Sequence, residues 1–382
     1  MTPIKVGFLP LYIKLYDDTS GPAARADMEA YMARCIENLR GRDIEIVPAD
    51  QVCRIKPEFD AAAKKFNDEG VDAVITLHLA YSPSLESIEA LASLKAPIIV
   101  FDSTVSYELM SRDQERRIGP NHGIHGVQDM CNLLKRRGIP YYLCVGHADH
   151  SPVLDEVAGM CRAAAAARAF REAKVGSAGG SFTGMGDFLI SDERYKNDIG
   201  ATVSYMTPDV AGKYLARVTE AEIDAEIAYD AAHFRTEITD VEIYRTVTRA
   251  GLALRKWMED ERLTAVTVNF LTADICGLPK MPFPECCKVL GRGLGYAGEG
   301  DVLTAGLVGA LANAFPEVTF TEMFCPDWEK DVVLLSHMGE SNPRLAKWTP
   351  LIKNIPFIYN SCGDTVSIYT CAKAGEDRKS VV

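Results

Sequence analysis

"DAVITLHLAYSPSLESIEALASLKAPIIVFDS", residues 72–103, decides the fold class. It opens with an apolar run at 72–80, passes through a helical stretch at 85–94 and returns to an apolar run at 97–103. Apolar strands that alternate with helices are buried on both faces, the habit of a parallel sheet rather than of a half-solvated antiparallel one. The rhythm extends in both directions. Runs rich in β-formers stand at 5–13 ("KVGFLPLYI"), 44–49 ("IEIVPA") and 141–148 ("YYLCVGHA"), with helical stretches at 23–39, 58–67 and 127–137. The turn "HLAYSP" sets His78 and Tyr81 at the carboxyl end of a strand, where open α/β sheets place their ligands.

An Ala-rich helix at 152–172 leads into a second unit that opens with "KVGSAGGSF" at 174–182. Helices are predicted there at 211–218, 220–232, 241–262 and 302–315, with a strand at 264–270. From residue 318 the texture changes to strands at 318–324, 331–339, 355–361 and 365–371, followed by a polar tail at 373–382. Consecutive strands with short turns predict the start of an antiparallel β domain.

Composition narrows the function. The chain has 382 residues, 47% hydrophobic and 25% charged, which suits a soluble globular protein of two or three domains. Its 41 Lys and Arg against 53 Asp and Glu leave a net charge of −12. Without a basic run, nucleic acid and anionic membranes are poor partners. No apolar stretch approaches the ~20 residues of a membrane span. The N-terminal "MTPIKVGFLPLYIKLYDD" lacks a small-residue cleavage site and is expected to be a first strand, not a signal peptide. The 11 cysteines are scattered, with no CxxC pair, which points to reduced thiols and a cytoplasmic location.

"GLGYAGEGDVLTAGLVGAL", residues 293–311, enters a helix through glycines, as a phosphate site does, yet carries Glu299 and Asp301 where an anion would sit. A helix of about 16 residues runs ~24 Å. The strand at 318–324 then returns ~20 Å, which brings Glu322 back to the level of Glu299. The turn "CPDWEK" reverses the chain again and carries His337 into the same neighbourhood. Two carboxylates and an imidazole suit Mn²⁺, Mg²⁺, Fe²⁺, Co²⁺ or Zn²⁺. Spacing alone leaves a plainer reading open, in which Glu299 only complements the helix dipole, Glu322 is an exposed strand residue and His337 is a core histidine. His147 and His150 in "GHADH" fit either a second metal pair or a strand-end turn with a helix cap.

In order along the chain, "LHLAYSP", "NHGIHG", "VGHADHSPVLDEVAGMCRAAAA", "GGSFTGMGD", "GYAGEGDVLTAGLVGAL", "TFTEMF" and "VLLSHMGESNP" resemble segments of the L-arabinose isomerase and L-fucose isomerase superfamily, in order and spacing L-arabinose isomerase most. The resemblance implies two Rossmann-like parallel-sheet domains, at 1–172 and 173–325, followed by the start of an antiparallel, barrel-like β domain at 326–382. It implies an aldose–ketose isomerase working through an enediol, with Glu299 and Glu322 as metal ligands and acid/base pair, His337 as third ligand, and a divalent metal, Mn²⁺ foremost.

Among substrate contacts the resemblance implies His125, reaching a neighbouring subunit's site, together with His122, Tyr81, Met185 and Phe270. A homo-oligomer follows, a hexamer or another trimer-based assembly. Two departures bear on the sugar. His122 stands where L-arabinose isomerases carry a Gln, and in "LYIKLYD" Ile13 replaces a polar Gln, with Lys14 beside it. A different aldose, or one with an anionic group for Lys14, is therefore expected. No histidine follows His337, whereas the family draws a last metal ligand from a longer C-terminal domain, so a truncated chain or altered chemistry is expected. The rival reading is a non-catalytic sugar-binding or regulatory protein of the same fold.

Overall fold

A computed structural model describes residues 3–109 and 118–374. The chain divides into two compact units, Thr2–Ala165 and Ala166–Val382.

In the first unit β1 (Ile4–Leu11), β2 (Ile44–Pro48), β3 (Ala73–His78), β4 (Ile98–Asp102) and β5 (Tyr141–Val145) form a sheet in the order β2-β1-β3-β4-β5. Every pairing in it is parallel. The apolar run at 72–80 supplies β3, whose residues are all buried. Alternate residues serve opposite faces: Ala73, Ile75 and Leu77 join Phe8, Tyr31 and Val157, whereas Val74 joins Phe59, Phe66 and Leu134. Each fully buried Val, Ile, Leu or Phe among them contributes roughly 1.5–3 kcal/mol. The covering helices are α1 (Lys14–Ser20), α2 (Ala26–Arg40), α3 (Lys56–Glu69), α4 (Ser84–Ala92), α5 (Gly123–Arg136) and α6 (Val153–Arg171), the last of which runs across the division between the units.

In the second unit β6 (Lys174–Ala178), β7 (Thr202–Met206), β9 (Ala265–Val268) and β10 (Gly295–Gly298) form a second all-parallel sheet in the order β10-β9-β6-β7. Its helices are α7 (Pro208–Leu215), α8 (Glu220–His233), α9 (Val241–Glu261), α10 (Phe283–Gly291) and α11 (Val302–Ala314), and the core includes the fully buried Trp257 and Tyr296. Beyond it β11 (Glu322–Asp327) and β12 (Val332–Ser336) form an antiparallel hairpin. β13 (Leu351–Ile355) pairs antiparallel with β14 (Thr365–Tyr369) and parallel with β8 (Arg235–Glu237).

The expected class, two parallel-sheet α/β units followed by antiparallel strands, is the observed one, and no closed barrel forms among the described residues. Details differ. The strand expected at 355–361 lies earlier, as β13, because Pro356 has no N–H to continue a ladder. Beyond it the Phe357 N–H donates instead to Asp364, at 3.1 Å. β11 runs on through Cys325–Pro326–Asp327, so the reversal falls later than "CPDWEK" predicted. From residue 375 the polar tail lies outside the described residues. All cysteines are free, and all are buried except Cys325 and Cys371.

Candidate active site

The acid pair at the head of α11 separates into two roles. Asp301 is the helix cap: its carboxylate accepts the Thr304 N–H at 2.8 Å, which satisfies a donor the helix leaves open. Glu299 is not needed for that task. It sits between Gly298 and Gly300 in a left-handed conformation with φ +63°, a backbone state that costs a non-glycine residue free energy and persists only where its surroundings fix it. Its neighbours have no room for side chains: a Cβ on Gly298 would lie 2.8 Å from His337 Cε1, and one on Gly300 would lie 2.0 Å from the Gly180 carbonyl oxygen. The glycines of the motif serve close approach around a carboxylate, not around a phosphate.

The β11–β12 hairpin places Glu322 and His337 near each other. Glu322 opens β11 opposite Ser336 at the end of β12, and His337 follows at once. His337 Nε2 lies 3.8 Å from a Glu322 carboxylate oxygen. The ring packs edge-on against Phe320, with centroids 4.8 Å apart. Asn342 fastens the segment beyond, donating to the Val318 carbonyl at 2.8 Å while its own N–H reaches Thr319 Oγ1 at 2.9 Å.

Sequence reading missed Glu340. This buried carboxylate makes an ion-pair contact with His337 Nδ1, and its other oxygen accepts the Tyr296 O–H. A histidine held by a carboxylate through one ring nitrogen is fixed in tautomer and orientation, and its other nitrogen is left for a metal.

Electrostatics agree with a cation site. Burial raises the Glu299 carboxyl above its ordinary value, and the charge of Glu322 raises it further, with smaller effects from Glu340 and Asp187. Burial works against a charged His337, yet the Glu340 carboxylate, joined by Glu322 and Glu299, outweighs it and raises the imidazole. Carboxylates gathered at this density repel one another until a cation or protons join them. Among the described residues no three His, Cys, Asp or Glu side chains are drawn close enough to hold an ion as they stand. The donor set itself, two carboxylates and an imidazole anchored from behind, fits a divalent cation once the side chains close in.

The predicted substrate residues fall in two places. In the Ala166–Val382 unit, half-buried Phe270 packs against Phe182 and Tyr359 at 5.9 and 5.6 Å, and the Met185 N–H donates to the Phe182 carbonyl at 3.3 Å. In the Thr2–Ala165 unit, Tyr81, His122 and His125 cluster beyond β3: His125 Nδ1 lies 3.1 Å from His122 Nε2, and the Tyr81 ring lies 4.9 Å from that of His125. Lys14 is engaged with Asp18 at 2.6 Å. His147 and His150 lie 4.9 Å apart, ring to ring, and both pack against Tyr107, His147 edge-on. The buried His78 is driven by burial to a pKa of about 3 and is therefore neutral.

The sequence profile of the L-arabinose isomerase central domain matches residues 194–314. L-arabinose isomerase from Oceanobacillus iheyensis is 25% identical, over 86% of this chain and 70% of that protein. L-arabinose isomerases from Herpetosiphon aurantiacus and Erwinia tasmaniensis are 27% and 26% identical, each over 77% of this chain and 61% of its own length. The chain thus spans between 61% and 70% of the lengths of these three relatives. Among solved structures, a periplasmic solute-binding protein from Actinobacillus succinogenes with bound D-allose aligns over 81% of this chain and 91% of that one at 12% identity, but its TM-score of 0.22 carries no argument. With the profile match running through β7 to α11 and the similarity continuing across most of the remaining chain, the protein is similar to L-arabinose isomerases over most of its length.

Proposed function

We propose that this chain is a divalent-metal-dependent aldose–ketose isomerase, most suited to Mn²⁺, with Glu299 and Glu322 as the acid/base pair and Glu299, Glu322 and His337 as metal ligands. The observation that carries the proposal is the approach of His337 Nε2 to Glu322 while Glu340 holds Nδ1. When bound, the metal would supply Lewis-acid polarisation of the sugar carbonyl.

The chain's own residues carry the proton. One carboxylate of the pair takes the proton from C2 of the open-chain aldose, and the C–H electrons become the C1=C2 bond of an enediol as O1 gains a proton from the other, protonated carboxyl of the pair. The same proton then returns to C1, O2 gives its hydrogen to the carboxylate that had protonated O1, and a ketose results. Such general acid–base catalysis is typically worth about 10²–10⁴ in rate. The raised Glu299 carboxyl suits the partner that holds the proton between the two carbons. His337, with Nδ1 against Glu340, turns Nε2 toward Glu322.

Relatives named for L-arabinose support a pentose-like aldose as substrate. Ile13, Lys14 and His122 favour an aldose other than L-arabinose itself. Met185 and Phe270 supply apolar walls, Tyr81 and His122 are further substrate contacts, and His125 serves a neighbouring subunit in a trimer-based oligomer. The working divisions are 1–172, 173–325 and 326–382, and the location is the cytoplasm; no described helix is long and apolar enough to cross a membrane. A panel of aldoses assayed with and without Mn²⁺ tests the reading. Mn²⁺-dependent ketose formation is expected, and Mn²⁺-independent sugar binding without turnover would leave a sugar-binding protein instead.

A further inference from the structure

We infer that Thr267 is a positioning residue for Glu299, an inference that rests on the reading of Glu299 as a metal ligand and proton carrier. Thr267 lies on β9 and is fully buried. Its hydroxyl donates to the Gly298 carbonyl at 3.0 Å and accepts the Gly300 N–H at 3.0 Å. The two peptides that flank Glu299 are thus tied to one oxygen on the neighbouring strand. The Glu299 carbonyl is tied as well, by the Phe182 N–H at 2.9 Å.

A residue at φ +63° relaxes toward an ordinary conformation unless its surroundings prevent it. Here relaxation would have to break both bonds of one buried hydroxyl; the Gly298 carbonyl also accepts the Asp301 N–H at 3.0 Å, but the Gly300 N–H would lose the bond that satisfies it. The glycines at 298 and 300 make the turn possible, whereas the Thr267 hydroxyl selects it and so aims the carboxylate. Serine keeps the hydroxyl. Valine keeps the shape and loses both hydrogen bonds.

The experiment is Mn²⁺ titration of the full chain by electron paramagnetic resonance, on the native protein and on Thr267→Ser, Thr267→Val and Glu299→Gln, with circular dichroism to check the fold. Loss of a residue that orients a metal ligand typically weakens metal affinity about 10–100-fold. We expect Thr267→Val to fall in that range, Thr267→Ser to stay within about twofold of native, and Glu299→Gln to lose at least as much as valine. Native Mn²⁺ affinity in Thr267→Val alongside weakened Glu299→Gln overturns the role of Thr267 and leaves the site reading intact. Native affinity in Glu299→Gln overturns the site reading itself. Equal weakening in the serine and valine variants shows that shape, not the hydroxyl, matters, and overturns the inference too. If Thr267→Val does not fold, Thr267→Cys, close to it in size and a weak hydrogen-bonding group, takes its place with the same expected loss.

Discussion

His337 turns Nδ1 to the buried Glu340 carboxylate and Nε2 to Glu322, 3.8 Å away. One carboxylate lies behind the ring and another before it, and the two differ in burial: the Glu340 side chain is 3% exposed and the Glu322 side chain 41%. The inner carboxylate is committed to the protein, with Tyr296 donating to its second oxygen. The outer one is free to meet a ligand.

Metal binding should be visible as stability. At Mn²⁺ about 100-fold above its dissociation constant, native-state binding adds about 2.7 kcal/mol. The Glu299→Gln, Glu322→Gln double variant should lose the corresponding rise in melting temperature. A double variant that keeps the full rise would put the ion elsewhere in the molecule.

If His125 completes a neighbour's site, inactive His125→Ala chains and inactive Glu322→Gln chains should rescue each other. Random mixing in a closed ring leaves about a quarter of the sites with both native residues. Activity measured after co-refolding checks this, and no recovery in a mixed oligomer would remove His125 from the site.

Asp301 should behave as a cap and not as a ligand. Asp301→Ala should cost about 1 kcal/mol, while Asp301→Asn, itself a good cap, should cost much less. Thermal unfolding of the pair decides it, provided that Mn²⁺ affinity is read alongside: a loss of affinity in Asp301→Asn would bring Asp301 into the metal site.

His78 sets an acid sensitivity. Its folded-state pKa is depressed to about 3 from an ordinary 6.5, so below pH 6.5 the unfolded chain binds a proton that the folded chain refuses. Stability is therefore present above pH 6.5 and is lost as pH falls toward 3. Between pH 7 and pH 5 this one group removes about 2 kcal/mol. Urea unfolding at the two pH values should show that loss in the native chain and a smaller one in His78→Asn; equal losses would assign the sensitivity elsewhere.

The strands that a sequence shows best are those buried on both faces. β3 and β4 are entirely buried and stand out as apolar runs. β8, with Arg235, Thr236 and Glu237 all exposed, has no such signature, because it is held by pairing with β13 alone. β10 hides for another reason: its glycines look like a loop, and only the packing of α11 over Gly295 explains why a strand should lack side chains there. Chain arithmetic sufficed to bring Glu322 and His337 together, since a hairpin fixes which residues face each other. Glu340 and Thr267 were not legible, because Glu340 acts through contacts to the side chains of His337 and Tyr296 and Thr267 through a backbone turn, and no local pattern records either.

The distribution of thiols provides an optical handle on the site. Cys325 stands on β11, a short way along the strand from Glu322, and apart from it only Cys371 is exposed among the cysteines. With Cys371 replaced by Ser, a maleimide dye would attach to the folded chain at a single place beside the acidic cluster. The arrival of a cation or a sugar could then be followed as a change in fluorescence, in real time and without any turnover.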